Sequence, residues 1–216
     1  MKAALPLLFS SLTLLACASP TAVGYEPETS PAERDRLHRV TPIPEAAPIA
    51  ELTSTTVTAV FDVPQEHMTK WFVELQLDKA LPGTEELPGV LRTEPLSNGP
   101  WGVPGARRRV VLKDDSTALE QIVEAELPKR VRYVVWNYTS DAAKYVEYGV
   151  GEFRFVPKGH KTEVQWTYAF SPRGWPASWL LGSFVEGDYR DMMTKSWGVM
   201  KGLAEESWKK TRAAQM

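Results

Sequence analysis

"PASWLLGSFVEGDYRDMMTKSWGVMKGLAEESWKK", residues 176–210, is the stretch on which the fold turns. At 100° per residue, Leu181, Val185, Met192, Val199 and Leu203 fall within about 20° of one line. Tyr189, Ser196 and Met200 flank that line, while Glu186, Arg190, Thr194, Lys201 and Glu205 lie opposite. The pattern predicts one long helix with an apolar stripe to bury. Gly182, Gly187, Gly198 and Gly202 each lower helix propensity by about 1 kcal/mol relative to alanine, so they mark places for close packing or a bend. Asp188 reads either as a partly buried acid at the stripe's edge or as a cap on a bend at Gly187.

What the stripe covers is written upstream. "STTVTAVFDV" (54–63) is β-branched and alternating, and reads as a strand. "PQEHMTKWFVELQL" (64–77) begins with a proline suited to a first helical position and repeats Met68, Trp71, Phe72 and Leu75 at helical spacing. Residues 81–89 are broken by prolines and glycines into a loop. Further strands are expected at 89–97, 106–114, 118–127, 131–139, 144–157 and 161–172, the last two joined through a hairpin turn at Gly159. Each connection in this run is too short for a parallel crossover, so the strands form an antiparallel meander. Such a sheet has one face to cover. A single long helix covers it if the sheet curls around the helix. The expected class is α+β, a helix-grip arrangement with space between helix and sheet.

The order and content of these segments resemble the START-like superfamily, also called SRPBCC, which includes polyketide cyclases, dehydrases and lipid-transfer proteins. The residues that carry the likeness are Val63-Pro64 leading into a helix, then "GARRRVVL" (105–112) and "PKRVRY" (128–133). "FRFVPKG" (153–159), "TEVQW" (162–166) and the closing "GLAE" (202–205) complete the set. The chain departs from the pattern at Gly159-His160-Lys161-Thr162, where relatives tend to keep glycine directly before the threonine. The resemblance spans about residues 54–208 and implies a cavity that takes a hydrophobic or lipid-like ligand.

The domain is preceded by two segments of different character. "MKAALPLLFSSLTLLA" (1–16) has Lys2 followed by an uncharged apolar run, the layout of a secretory signal peptide. The run is shorter than the ~20 apolar residues of a membrane span. Leu14-Leu15-Ala16-Cys17 resembles the lipobox of bacterial lipoproteins, in which the cysteine is acylated and the preceding peptide removed. An ordinary cleavage near Ala18 or Ala22 is the alternative. Ala18 is not the aspartate that retains lipoproteins in the inner membrane, so the resemblance implies the periplasmic face of the outer membrane. Residues 17–52 contain six prolines and no sustained period of 2 or 3.6. They read as a tether, or as a segment wrapped on the domain surface, with Ser30-Pro31 as the cap and start of a short helix. The domain is assigned to 53–210, and 211–216 is a tail.

Composition excludes several functions. The net charge of −2 offers no field for nucleic acid, and Cys17 is the only cysteine. His38, His67 and His160 are scattered, and no His/Asp/Glu cluster has metal spacing. No glycine-rich phosphate loop appears. No catalytic residue, metal or cofactor is assigned, although acid–base work by a tyrosine, arginine or aspartate in the cavity stays open.

The eight Trp, seven Tyr and seven Phe are concentrated beyond residue 130. Strand alternation places Val164, Trp166, Tyr168 and Phe170 on one side, Phe153 and Phe155 with Gly149 and Gly151, and Val134, Trp136 and Tyr138 with Arg132. These aromatic faces are expected to point at the long helix. With Met192 and Met200 they either line a pocket for an apolar ligand or fill the core. Arg108 falls inward with Val110 and Leu112, and reads as a partner for a ligand carboxylate or phosphate, or as a strand-end arginine with its head in solvent. Trp175 and Trp179 stand at the entrance to the long helix. Exposed, they grip a membrane interface or a ligand; buried, they close one end of the grip.

Overall fold

The computed structural model describes residues 30–175 and 177–215. The leader, Cys17 and the first part of the expected tether lie outside these residues.

Seven strands form one antiparallel sheet: β1 (Thr53–Phe61), β2 (Val90–Pro95), β3 (Arg107–Leu112), β4 (Thr117–Glu126), β5 (Arg130–Trp136), β6 (Val146–Lys158) and β7 (Lys161–Pro172). Their order is β1-β7-β6-β5-β4-β3-β2. The meander from β2 to β7 is the expected one. β1 pairs with β7 from Thr53↔Phe170 to Phe61↔Thr162. The chain from β1 to β2 therefore spans the whole sheet, and it does so through α2 (Gln65–Val73) and the single turn α3 (Leu77–Ala80). β6 and β7 are joined at Gly159-His160, with Gly159 at φ +65°, a conformation open to glycine.

The long C-terminal helix lies across the inner face, but not as one straight rod. It comprises α4 (Ala177–Phe184), a π-helical turn (Val185–Tyr189) and α5 (Arg190–Ala213). Within the turn Gly187 leaves helical geometry, at φ −98° and ψ −106°. A π-turn takes up about one extra residue, so the buried stripe changes phase across it. Before the kink, Leu181 and Val185 are buried as expected. After it, Met193, Ser196, Trp197, Met200 and Ala204 are buried, whereas Met192, Val199 and Leu203 are only partly so. A constant 100° step cannot register this shift. Asp188 is exposed beside the kink.

The outer face of the sheet is also covered. α1 (Pro31–Val40) is capped by Ser30, whose Oγ accepts from Glu33 N at 3.2 Å. Beyond it Ile43, Ala46, Ile49 and Leu52 pack on Leu96, Leu119, Val134, Trp136, Tyr148 and Val150. From Ser30 to Leu52 the expected tether is thus wrapped on the domain. Its apolar residues recur every third position, the repeat of an extended, proline-rich chain. Arg107 Nη1 fastens it by donating to the carbonyls of His38, Arg39 and Thr41, at 3.0, 3.1 and 2.7 Å.

Because both faces are covered, both faces of β5 are apolar, and alternation alone cannot decide which points inward. Tyr133 and Val135 join the cluster under the helix. Trp136, expected toward the helix, is instead in the outer cluster beneath the N-terminal segment, with the Arg107 guanidinium 5.0 Å from its ring centre. Tyr138 still reaches the inner side, because Asn137 at φ +56° breaks the alternation after the strand ends.

Candidate functional site

Between the sheet and α4 lies a cavity of about 860 Å³. Its wall is built from β3 to β7, the loop 81–90, the segment 138–146 and the helix on either side of the kink. The exposed members of the wall are Glu86, Asp114, Asp141, Ala142, Tyr145 and Leu180, so the opening lies among them. A second void of about 40 Å³ continues inward toward Phe72, Trp101 and Met200. A polar depression of about 400 Å³ lies at the sheet end, around Trp101, Arg92 and Arg107.

The sequence-assigned residues divide among these places. Tyr138, Trp166, Tyr168, Phe170 and Met192 line the large cavity. Phe153, Met200 and Arg108 line the small void, with Trp166 shared between the two. Phe155 is core, its ring centre 5.4 Å from that of Phe72, and Trp136 is on the other side of the sheet. Trp175 and Trp179 are 86% and 79% exposed.

Three side chains that the sequence reading did not assign to the cavity complete the wall: Tyr133, Glu120 and Tyr189, the last read only as flanking the helix's apolar line. The space for the tyrosines is made by two glycines of β6. Gly151 lies in register between Tyr133 and Tyr168. An added Cβ there would stand 2.0 Å from Tyr133 Cζ, and one at Gly149 would stand 2.7 Å from the Tyr168 ring and 2.8 Å from Tyr138 Oη. Glycines at alternate positions on an aromatic face were the available signal, since strand-interior glycine often marks a close approach. Glu120 is legible only once its neighbour across the ladder is known.

That neighbour is Arg108. Its Nε donates to Glu120 Oε2 at 2.5 Å, and its guanidinium lies 3.5 Å from the Trp101 ring centre. Arg108 is buried and borders the small void. The head is committed to a protein carboxylate and an indole rather than left open or in solvent. Trp166 Nε1 donates to Tyr133 Oη at 3.1 Å, and the Tyr138 and Tyr168 hydroxyls are 3.5 Å apart. Burial pushes the Tyr133 and Tyr168 hydroxyls well above the usual phenol range, so both are neutral at ordinary pH. Among the described residues no group of three or more His, Cys, Asp or Glu converges to hold a metal ion.

The sequence that builds this cavity, residues 53–205, matches a family model. The chain belongs to the polyketide cyclase / dehydrase and lipid transport family. No curated protein matches the sequence. Among solved structures, Ara h 8.0201 is similar with a TM-score of 0.55 at 16% identity, covering 70% of this chain and 96% of its own. A protein from Thermus thermophilus has a TM-score of 0.53 at 16% identity, with 71% and 98% covered. A START superfamily protein from Mycobacterium smegmatis has a TM-score of 0.53 at 11% identity, with 71% and 97% covered. At these identities the likeness establishes the fold, which is START-like helix-grip. Family and fold together are those of a hydrophobic-ligand-binding architecture.

Proposed function

We propose that this protein is a cell-envelope lipoprotein that binds or shuttles a hydrophobic, lipid-like ligand. The observation that carries the reading is the cavity of about 860 Å³, within the 300–1,000 Å³ typical of ligand sites. It is walled by tyrosine, tryptophan, phenylalanine and methionine. A filled interior, on which the alternative of a structural lipoprotein that binds another envelope protein would rest, is at odds with that space. Acylation at Cys17 would hold the chain at the membrane, on the periplasmic face of an outer membrane. Residues 18–29 would give the domain a reach of at most about 40 Å at roughly 3.3 Å per residue.

Two measurements test this reading. Nile red, an uncharged apolar dye, should gain fluorescence on entering the cavity. Ala118→Trp, which fills the wall at a buried cavity position, should abolish that gain while the far-ultraviolet spectrum stays native. Uptake unaffected by Ala118→Trp would place the dye elsewhere and remove the support. Cys17→Ser should move the protein from membrane to soluble fractions; a variant that stays acylated and membrane-bound would refute the anchor.

A second reading, cyclase- or dehydratase-like chemistry in the same cavity, is favoured by the buried Arg108–Glu120 pair. Under that reading Glu120→Gln would abolish turnover of a bound polyketide-like compound without expelling it. Under the binding reading no such turnover occurs in the wild-type protein.

A further inference from the structure

The charged groups around the large cavity are all of one sign. Glu86, Asp114, Glu120 and Asp141 contribute to its wall, and among the described residues no lysine, arginine or histidine does. The nearest arginine inside, Arg108, lines the adjoining small void and is held by Glu120 and Trp101. Asp141 at the opening is paired with Lys144 at 2.6 Å, and Asp114 accepts from Ser116 N and Oγ. An anionic head group entering this space would meet carboxylates at the rim and at the inner end, where the neighbouring cations, Lys144 and Arg108, are already paired with Asp141 and Glu120.

The inner end also has unused hydrogen-bonding capacity of both kinds. Glu120 accepts from Arg108 through Oε2, which leaves Oε1 to accept. Tyr133 Oη accepts from Trp166, which leaves its O–H to donate. The Tyr138 and Tyr168 hydroxyls can use only one proton between them, which leaves the other as a donor. A group that both donates and accepts fits this set. A carboxylate or phosphate, which only accepts, does not.

On the footing that the cavity is the ligand site, we infer that it selects an uncharged, hydroxyl-bearing amphiphile and rejects anionic lipids. The hydroxyl sits among Glu120, Tyr133 and the Tyr138–Tyr168 pair, and the apolar body runs along Phe170 and Met192 toward the opening.

The test is displacement of Nile red from the full chain by 1-decanol, decanoate and decylamine at about pH 8, where the acid is ionised. Decanol is expected to displace the dye at concentrations about tenfold lower than decanoate, and decylamine to do no better than decanol. Tyr138→Phe should weaken decanol about fivefold more than it weakens Nile red. Decanoate as effective as decanol, or decylamine more effective, would overturn the assignment of an uncharged ligand. Decanol unaffected by both Tyr138→Phe and Tyr168→Phe would overturn the hydroxyl contact. In each of those cases dye uptake still supports the cavity as the binding site. Failure of Nile red to bind the wild-type chain would instead overturn the binding reading itself.

Discussion

Gly151 sits between Tyr133 on one neighbouring strand and Tyr168 on the other, where a Cβ would come within 2.0 Å of the Tyr133 ring. The backbone there is locked into ladders on both sides, so the ring must move instead. Gly151→Ala is expected to destabilise the fold by about 1–3 kcal/mol and to break the Trp166–Tyr133 hydrogen bond, readable as a lowered denaturation midpoint and a changed tryptophan spectrum. The two adjacent methionines provide a sharper contrast. Met193 is fully buried beneath the sheet, whereas Met192 is partly buried on the cavity wall. Met193→Glu should unfold the domain, because an unpaired charge would be buried. Met192→Glu should leave a folded protein with weakened uptake of apolar ligands. Thermal unfolding and dye binding on the two variants separate these outcomes. Equal damage from both would mean that the kink does not reset the helix. From the sequence, Met192 and Met200 were both identifiable as apolar helix positions. Met193 and Trp197 were not, because a 100° step carried through Gly187 puts the wrong side inward.

The strands were readable almost to their ends, since each has its own alternation and its own turn residues. Which face of a strand points inward was readable for β7 and for the end of β6, where one side is aromatic and the other largely charged or polar. It was not readable for β5, where Val134 and Trp136 are as apolar as Tyr133 and Val135. The cause is the N-terminal segment, whose period of three is neither a helix nor a strand signal and which conceals an outer apolar face. Arg107 and Arg109 are its anchors. Arg107→Ala removes three hydrogen bonds to the segment and should cost about 1–3 kcal/mol, with faster protease cleavage between residues 30 and 52. Arg109 bonds to Glu94 and pairs with Asp35 of α1 at 2.8 Å. Partial burial alone would raise the Glu94 carboxyl. The hydrogen bonds and charges of Arg109 and Arg92 outweigh it and hold the group below the ordinary glutamate value of 4.5. A carboxyl whose folded value is depressed contributes stability that is full above 4.5 and is lost as the pH falls through the lower folded value. Acidification below pH 4.5 should therefore loosen the β2–β3 edge, seen as amide exchange in β2 rising before that of β6 and β7. Loss of protection everywhere at once would contradict this local contribution.

The arrangement of the described residues follows from one requirement: a seven-stranded antiparallel sheet with apolar side chains on both faces needs two covers. The N-terminal segment covers the outer face over β4, β5 and β6. The terminal helix closes the inner face only in part, because its kink and the loop 81–90 stand off from the sheet and leave the cavity between them. The helix-grip class was legible from the order of elements and from the final amphipathic stripe. The cavity's size was not, because the same aromatic residues would serve a filled core. The central claim is that this space holds an apolar ligand. Native mass spectrometry of the full chain purified from its own envelope tests it most directly. The account predicts a reproducible non-covalent adduct, released by organic extraction, regained on incubation with envelope lipid, and absent from Ala118→Trp. A bare protein mass that takes up nothing from the same lipid would contradict it.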